Sequence, residues 1–474
     1  MRHLAILLWI LLLSFPAYGE EKSLLEKRIN QVLANQCTES ATVSMLVKSL
    51  GTGKVLYSKA PDLPMVPAST MKIVTSIAAL EILKPDYIFK THFSHTGTRV
   101  GDVINGDLII SGGGDPHIVI EDLFLMANEL KKRGVNRVTG NLILDESYFE
   151  LVPFPKGWKP SSKRRAYEAP IGALSFNFNS FAISIFPPIQ TGGKAVVSLS
   201  PDSPYFSLIN NVRVVNRGRS KITLDFKKRQ GGGETVVVGG QIHSESKDLI
   251  YYRSVKYPLE YFGMTFIHFL SMSGVTFGGG VVHDLPEGES KSLFIYESKP
   301  LFDQVAFMNK YSNNFMAEHI LKTISAESVA APGSQSDGVK RVEEFLGNMG
   351  FNSDSYRIYD GSGFARENRL TTSLIVHLLE HAYKKWEYGP EFITSLALMG
   401  KDGSVEERMV STNKTIRVKT GTLNSVSALS GFYPVDSGDI LAFSILFNNL
   451  PCENGEILDV QHRLLRQFDK ADGY

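Results

Sequence analysis

A nearly unbroken run of apolar residues occupies the segment from Ser69 to Leu83. If the segment is helical, apolar side chains cover almost its whole circumference, which is typical of a helix buried on most sides. Pro67 favours a helix start just before the run, and Pro85 would end the helix. The pattern therefore predicts a buried helix at this position.

Towards both ends of the chain, short β-like runs are combined with amphipathic helical patterns. The predicted strands of these regions are 42–47, 54–58, 414–419, 425–433 and 440–447. Besides the buried helix, the predicted helices are 24–33, 302–324, 338–349, 371–383 and 457–468. Five strands flanked by helices from both ends of the chain predict one α+β domain built from the two ends.

The middle of the chain, from about residue 93 to residue 296, has a different pattern. Short β-like runs alternate there with turns, and one helical pattern at 120–133 interrupts them. We predict that this part is a large, two-part β-rich insertion. The predicted divisions are 20–92 with 292–474 for the domain built by the ends, 93–177 with 246–291 for inserted domain II, and 178–245 for a domain III nested in domain II.

The N-terminal residues have the composition of a secretory signal peptide. A basic start is followed by the apolar run from Leu4 to Phe15, and Ala17 and Gly19 are small residues at the −3 and −1 positions. We predict cleavage after Gly19 and a secreted, periplasmic protein. The apolar run is too short to span a bilayer comfortably, although a retained N-terminal anchor is the alternative.

The charge balance indicates which partners the protein can bind, and the cysteine content bears on whether it contains a disulfide. The chain has 50 Lys and Arg against 49 Asp and Glu, so no nucleic acid partner is expected. Cys37 and Cys452 are its only cysteines, and they lie near the two ends of the mature chain. A disulfide that joins the termini and two unpaired buried cysteines are both open alternatives.

The first candidate catalytic residues lie on the predicted buried helix, where Ser69, Lys72 and Ser76 fall on one narrow face. A serine needs a neighbour to take its proton, and a lysine can do so when burial or a second cation lowers the lysine pKa. The S-x-x-K pattern alone is weak, since a capping serine followed by a surface lysine gives the same letters. Residues 244–247 also match it.

Two further motifs follow in the chain. Ser312 and Asn314 form an S-x-N pattern within predicted helix 302–324, and Lys419-Thr420-Gly421-Thr422 ends a predicted strand. A second hydroxyl can relay a proton, and an asparagine amide can hold a substrate amide. Lysine and threonine side chains can bind a carboxylate. The ordered set of S-x-x-K, S-x-N and K-T-G is much more specific than any one of its members.

With these motifs the chain resembles the penicillin-binding serine enzymes of bacterial cell-wall metabolism. Within them it is similar to the low-molecular-mass class C penicillin-binding proteins, which are D-alanyl-D-alanine carboxypeptidases and endopeptidases. That family has a large insertion between its first two motifs, and here residues 72 and 312 are 240 positions apart. Segments 112–116, 167–177 and 360–363 also match. The second motif reads Ser-Asn-Asn where many members have Ser-Asp-Asn.

The resemblance implies a β-lactamase/transpeptidase-like fold with a five-stranded antiparallel sheet, and a serine peptidase acting on peptidoglycan peptides that end in D-Ala-D-Ala. It implies catalytic roles for Ser69 as nucleophile, Lys72 as base and Ser312 as proton relay. The substrate-binding residues that it implies are Asn314, Lys419, Thr420 and Thr422. β-Lactam antibiotics would acylate Ser69, and neither a metal nor another cofactor is expected.

Several alternatives stay open at this point. A β-lactamase of class A would deacylate through an E-x-x-L-N segment, and the nearest candidate, 367–371, lacks the asparagine. The protein could also be a related D-amino-acid hydrolase, or a weakly active muropeptide-binding or scaffold protein. The sequence does not separate carboxypeptidase from endopeptidase action. Peripheral membrane or cell-wall association and a homodimer are open as well.

Overall fold

The computed structural model describes residues 24–187, 193–283, 288–408 and 414–469, so the predicted signal peptide lies outside the described residues. The α-helices are α1 Leu24–Leu33, α2 Met71–Ile82, α3 Ile120–Lys132, α4 Pro258–Met272, α5 Leu301–Lys310, α6 Asn314–Ser328, α7 Gln335–Asn348, α8 Thr372–Lys384, α9 Gly389–Ser395 and α10 Asn454–Phe468. The β-strands are β1 Thr42–Ser49, β2 Val55–Lys59, β3 Ile88–His95, β4 Thr98–Val100, β5 Val103–Asn105, β6 Leu108–Ser111, β7 Arg137–Val138, β8 Leu142–Asp145, β9 Ser180–Phe186, β10 Val196–Ser200, β11 Phe206–Val215, β12 Lys221–Lys228, β13 Glu234–His243, β14 Leu249–Ser254, β15 Thr276–Phe277, β16 Val281–His283, β17 Lys291–Pro300, β18 Tyr356–Arg357, β19 Arg369–Leu370, β20 Ala397–Leu398, β21 Arg417–Leu423, β22 Val426–Pro434 and β23 Ile440–Asn448.

The two ends of the chain build one antiparallel sheet, with strand order β2-β1-β23-β22-β21-β20. The N-terminal hairpin joins the C-terminal strands through the pairing of β1 with β23, in which Met45 lies opposite Ile445. The five predicted strands are all present. The sixth, β20, has only two residues and pairs with the start of β21. A two-residue strand has no measurable periodicity, and the sequence pattern did not predict it.

Helices cover both faces of this sheet. Leu25 and Ile29 of α1 pack with Ile457 and Leu464 of α10 in one core cluster, which also includes residues of β1 and β23. On the other face lies the predicted buried helix, α2, in which every residue from Met71 to Leu80 is buried. Burying apolar surface is the main favourable contribution to folding, so this double layer anchors the sheet.

A disulfide joins Cys37 to Cys452, with the two Cα atoms 5.3 Å apart. The bridge links the segment after α1 to the segment before α10. Because these helices lie on the same face of the sheet, the cysteines are brought together by the fold itself. Of the two alternatives, the structure has the disulfide.

The prediction of one helix at 302–324 is wrong. Helix α5 ends at Lys310 and α6 begins at Asn314, and between them Ser312 adopts a left-handed backbone conformation with φ of 54°. The side chain of Asn313 accepts a hydrogen bond of 3.1 Å from the N–H of Met316, which caps the new helix. The break places Ser312 in a turn.

The described residues in the middle of the chain form four further sheets. Their strand orders are β16-β8-β6-β3-β17, β15-β7-β5-β4, β10-β9-β14 and β11-β13-β12. One core cluster contains residues of both predicted inserted domains, including Tyr205 and Tyr261, whose ring centroids are 5.2 Å apart. Strands β3 and β17 pair with each other, and Tyr296 lies opposite Thr91. Strand β3 continues through the predicted domain boundary at residue 92, and β17 continues through the one at residue 292. The domain limits stay a prediction.

Membrane-spanning helices and metal-binding clusters are both absent from the part of the chain that the structure describes. None of its helices is long and apolar enough to cross a bilayer. Within the same residues, no three His, Cys, Asp or Glu side chains are grouped as they would be around a metal ion.

Candidate active site

The predicted nucleophile, Ser69, lies in a 3-10 turn formed by residues 68–70 immediately before α2. Ala68 and Thr70 are buried, whereas Ser69 is partly exposed. Ala68 has a φ of 47°, a left-handed conformation that costs energy for a residue with a Cβ. The tight turn therefore presents the Ser69 side chain to solvent from an otherwise buried segment.

Lys72 is fully buried, one helical turn after Ser69. Its Nζ donates hydrogen bonds to Ser69 Oγ at 3.0 Å, to Asn314 Oδ1 at 2.7 Å and to the carbonyl oxygen of Ser362 at 2.8 Å. Asn314 comes from α6, and Ser362 comes from a loop after β18. Two distant parts of the chain thus hold the Lys72 amine against the hydroxyl of Ser69.

Burial lowers the pKa of Lys72 to about 7, although the carboxyl groups of Asp360 and Glu318 oppose this effect. A lysine with its usual pKa would be charged at neutral pH and could not take a proton. With a pKa of about 7, a large fraction of the Lys72 amine is neutral at neutral pH. Lys72 can therefore serve as a general base close to neutral pH.

Lys419 and Ser312 form the second pair of the site. The buried Lys419 Nζ donates to Ser312 Oγ and to the carbonyl oxygen of Thr420, both at 2.9 Å. Burial and the positive charge of Lys72 lower the pKa of Lys419 well below its ordinary value. Since Coulomb repulsion acts on both partners, two buried ammonium groups at this site disfavour each other.

The K-T-G motif lies inside β21, not at a strand end as predicted. A Cβ on Gly421 would lie 2.9 Å from the backbone nitrogen of Ser69, so only glycine lets this strand approach the nucleophile turn so closely. In the described ranges, strand β20 pairs with Arg417 and Val418 of β21 and with no later residue of that strand. Among the described residues, the outer edge of β21 beyond Val418 has no partner strand and is open to an extended peptide.

Two of the predicted substrate-binding residues are accessible on this open edge. Thr422 is exposed, and Thr420 is partly exposed and shares a hydrogen bond of 2.9 Å with Ser404 Oγ. Asn314 is different, because protein groups already contact its carboxamide on both sides. Its Oδ1 accepts from Lys72, and its Nδ2 donates to the carbonyl oxygen of Tyr167 at 3.2 Å. Its role towards a substrate amide stays a prediction.

The buried loop of residues 360–363 supports the site, together with the buried carboxyl group of Glu318. The sequence pattern did not predict this support. Glu318 accepts hydrogen bonds from the N–H groups of Ser362 at 2.9 Å and Gly361 at 3.2 Å, which fixes the carbonyl that contacts Lys72. Glu318 lies four residues after Asn314 on α6, so both side chains project from one face of the helix. That spacing is the signal by which Glu318 could have been found.

Replacing Asp360 with Asn is expected to loosen this loop. The donors that converge on its buried carboxylate are Gly363 N and Ala365 N at 2.7 Å, Asn368 Nδ2 at 2.8 Å and Trp158 Nε1 at 2.9 Å. Asparagine presents an NH₂ to part of this set, and a buried donor without an acceptor costs roughly 1–3 kcal/mol. We expect the free energy of unfolding to fall by about 2–4 kcal/mol in denaturant titrations.

The matched control is Asp225→Asn. Asp225 is well exposed, with its Oδ2 3.8 Å from Lys227 Nζ, and an exposed ion pair contributes about 0–1 kcal/mol. If Asp360→Asn unfolds at the same denaturant concentration as Asp225→Asn, the stabilising role of the Asp360 carboxylate is contradicted.

The chain is similar to known proteins along most of its length. The model of the D-Ala-D-Ala carboxypeptidase 3 (S13) family matches residues 25–468. The D-alanyl-D-alanine carboxypeptidase of Actinomadura sp. (strain R39) is 32% identical over 452 residues, which cover 91% of this chain and 82% of that protein. DacB of Haemophilus influenzae is 24% identical over 436 residues, covering 88% of this chain and 87% of the relative.

The crystal structure of penicillin binding protein 4 from Haemophilus influenzae has the same fold, with a TM-score of 0.79 at 22% sequence identity. The superposition covers 94% of this chain and 99% of the other. The predicted α+β fold with a large insertion is thereby confirmed, and so is the resemblance to penicillin-binding proteins. The family match includes all three motifs and the insertion between them. The chain belongs to the D-Ala-D-Ala carboxypeptidase 3 (S13) family.

Proposed function

We propose that the protein is a serine DD-peptidase that forms an acyl-enzyme on Ser69 with peptidoglycan stem peptides ending in D-Ala-D-Ala. The observation that carries the proposal is the contact of 3.0 Å between Ser69 Oγ and Lys72 Nζ. A buried amine with a pKa of about 7 is a suitable base for that hydroxyl. Membership of the S13 family supports D-Ala-D-Ala as the substrate class.

In the acylation step, Lys72 takes the proton of Ser69 as Ser69 Oγ attacks the carbonyl carbon of the penultimate D-alanine. The N–H groups of Ser69 and Thr422 receive the negative charge that develops on the carbonyl oxygen. The close approach of β21 to the nucleophile turn at Gly421 supports this pairing of donors. One such donor contributes about 10²–10³ in rate.

Departure of the terminal D-alanine requires a proton on its amine. Ser312 relays that proton from Lys72, and Lys419 holds the Ser312 hydroxyl in place through its hydrogen bond of 2.9 Å. Thr420 and Thr422, on the open edge of β21, hold the terminal carboxylate of the substrate. Water then attacks the ester carbonyl, and Ser69 recovers its proton as the shortened peptide leaves.

β-Lactams are expected to acylate the same serine and to stay attached. The departure of segment 367–371 from the class A deacylation pattern favours a long-lived adduct over rapid β-lactam hydrolysis. A structure of penicillin binding protein 4 from Haemophilus influenzae is complexed with a β-lactam, which agrees with this expectation.

Intact-mass spectrometry with benzylpenicillin, together with D-alanine release from a D-Ala-D-Ala peptide, tests the proposal. We expect one adduct per chain that persists for many minutes, and release of D-alanine. Rapid return to the unmodified mass would favour a β-lactamase. A chain that neither forms an adduct nor releases D-alanine would contradict the proposal, and a scaffold or binding role would then be favoured.

Carboxypeptidase and endopeptidase reactions both break a bond that follows D-alanine, and the same acyl-enzyme serves both. We propose carboxypeptidase action on the basis of the family. Digestion of purified cross-linked muropeptides measures the endopeptidase reaction directly, because cleavage separates the two stems. The disulfide between Cys37 and Cys452 supports the proposed secretion into an oxidising periplasm after cleavage at Gly19.

A further inference from the structure

A cavity of about 240 Å³ begins at Tyr311, the residue before Ser312. We call it the α5 cavity, because one side of that helix forms most of its wall. The lining residues of α5 are Asp303, Gln304, Ala306, Phe307 and Lys310. His117, from the loop between β6 and α3, lines it as well. Since an α-helix rises about 1.5 Å per residue, the cavity extends about 10 Å along α5 from Tyr311 back to Gln304.

Gln304 places an unsatisfied polar group in the wall of this cavity. The residue is only 2% exposed, and among the described residues its Oε1 has no hydrogen-bond partner. A buried acceptor without a donor destabilises the folded protein, and an apolar side chain at this position would avoid that cost. An N–H group of a ligand in the cavity would supply the missing donor. The carboxamide of Gln304 therefore indicates a binding site for a ligand that carries an amide.

The other walls of the cavity are aromatic and charged. The rings of Phe307 and Tyr311 have centroids 4.7 Å apart, and the ring of His117 lies edge-on to Phe307 at 4.9 Å. Burial lowers the pKa of His117, so its ring is neutral at neutral pH. Lys299 and Asp303 are exposed and form no ion pair among the described residues. Aromatic surface with one free charge of each sign suits a peptide that has aliphatic and charged groups.

The cavity adjoins the end of the active site that receives the leaving group, and this step rests on the proposed function. Thr420, which holds the terminal carboxylate, shares a hydrogen bond of 2.9 Å with Ser404. The turn that contains Ser404 packs against α5, because a Cβ on Gly403 would collide with the carbonyl oxygen of Lys310. Lys310 lines the cavity, and Ser312, which protonates the leaving amine, follows two residues later. The carboxylate site, the proton relay and the cavity are thus contiguous.

A cross-linked muropeptide has a leaving group long enough to enter this cavity. Its scissile amide joins a D-alanine of one stem to a side-chain amine of a second stem, so a whole peptide leaves in place of D-alanine. The side chain that carries the amine is aliphatic, and the backbone of the second stem supplies N–H donors. An extended chain covers about 3.3–3.6 Å per residue, so about three residues span the distance from Tyr311 to Gln304. A single D-alanine does not reach Gln304.

We propose that the α5 cavity is a subsite for the second stem of a cross-linked muropeptide, and that Gln304 Oε1 accepts a hydrogen bond from a backbone N–H of that stem. Ser69 attacks the D-alanine carbonyl and forms the ester, the amide C–N bond breaks, and the side-chain amine leaves with the proton that Ser312 relays. Gln304 selects the leaving group and takes no part in bond cleavage. The subsite adds endopeptidase action to the carboxypeptidase reaction.

The test compares two synthetic cross-linked substrates that have the same acyl stem and the same scissile amide. The second stem is complete in one of them, whereas in the other the leaving group is the free diamino acid, which has no backbone amide. We expect kcat/KM of the unmodified protein to be about 10-fold higher for the substrate with the complete second stem. Equal values would overturn the inference.

Gln304→Met is expected to bring the two values within about twofold and to leave D-alanine release from an uncross-linked peptide unchanged. Methionine is unbranched and close to glutamine in shape, but it has no buried amide oxygen that needs a donor. The variant should therefore melt at the same temperature as the unmodified protein or above it. A lower melting temperature with slower D-alanine release would show a structural role and overturn the inference, and so would a preference that survives in the variant.

Gln31→Met is the matched control. Gln31 is exposed on α1, which packs on the opposite face of the sheet from α5. This variant should keep the 10-fold preference. An unmodified protein that releases D-alanine but cleaves neither cross-linked substrate would overturn the inference and leave the proposed function in place. Failure to release D-alanine as well would instead overturn the proposed function.

Discussion

Ser69→Ala is expected to abolish the penicillin adduct and to lower kcat/KM for a D-Ala-D-Ala peptide by at least about 10³-fold. The alanine variant has no oxygen with which to form the acyl-enzyme. The oxyanion donors and substrate contacts remain, so only their residual acceleration persists. Intact-mass spectrometry after incubation with penicillin measures the first effect, and D-alanine release measures the second.

The control variant for this prediction is Ser244→Ala. Residues 244–247 are a second S-x-x-K match in the chain, but they follow β13 in the insertion instead of starting a buried helix. Ser244→Ala should be acylated like the unmodified protein. An adduct of unchanged stoichiometry in Ser69→Ala would show that another residue is the nucleophile.

Lys72→Gln is expected to slow acylation by about 10²–10⁴-fold at neutral pH. Glutamine keeps a polar group near Asn314 and the Ser362 carbonyl but cannot take the proton of Ser69. The effect is therefore on the rate constant for acylation, which fluorescent penicillin labelling measures. The loss of one buried amine is not expected to prevent folding, and the unfolding transition of the variant checks this point.

Lys72→Gln should also change how the rate of acylation depends on pH. An amine is neutral above its pKa and charged below it, and the pKa of Lys72 is about 7. Acylation by the unmodified protein should therefore fall as the pH drops through about 7 and level off above it. Lys72→Gln should lose this acid limb. A variant that is slow but keeps the limb would show that another group is the base.

The buried helix and the sheet are predictable from the sequence because their signals are local. Nearly continuous apolar character predicts α2, and β22 is a strand of which every residue except Pro434 is buried. The α+β domain then follows from placing helices and strands of both chain ends together. Bounds of these elements differ from the predictions by a few residues, since caps and bulges depend on tertiary contacts.

The break at Ser312 could not be predicted from periodicity. Apolar residues with helical spacing continue on both sides of the break, so the pattern indicates one helix across it. The left-handed backbone of Ser312 and the cap formed by Asn313 decide the outcome, and both are local conformations that hydrophobic spacing does not encode.

The misplacement of the K-T-G motif has a similar cause. The predicted strand ends at Lys419, whereas in the structure β21 continues to Leu423 and Gly421 allows its close approach to Ser69. Glu318 was missed for another reason. A single carboxylate in a helical sequence is usually solvated, and only the tertiary fold shows that it is buried against the 360–363 loop.

The joining of the two chain ends in one sheet has a consequence for synthesis on the ribosome. Ser69 and Lys72 emerge early, but β21 and β22, which complete their surroundings, are encoded more than 340 residues later. A chain that ends before β21 lacks that strand with its Lys419 as well as β22 and β23, and a lysine that an unfolded chain leaves in water has an ordinary pKa. A truncated chain therefore carries an inert serine, and reactivity is acquired only when synthesis is nearly complete.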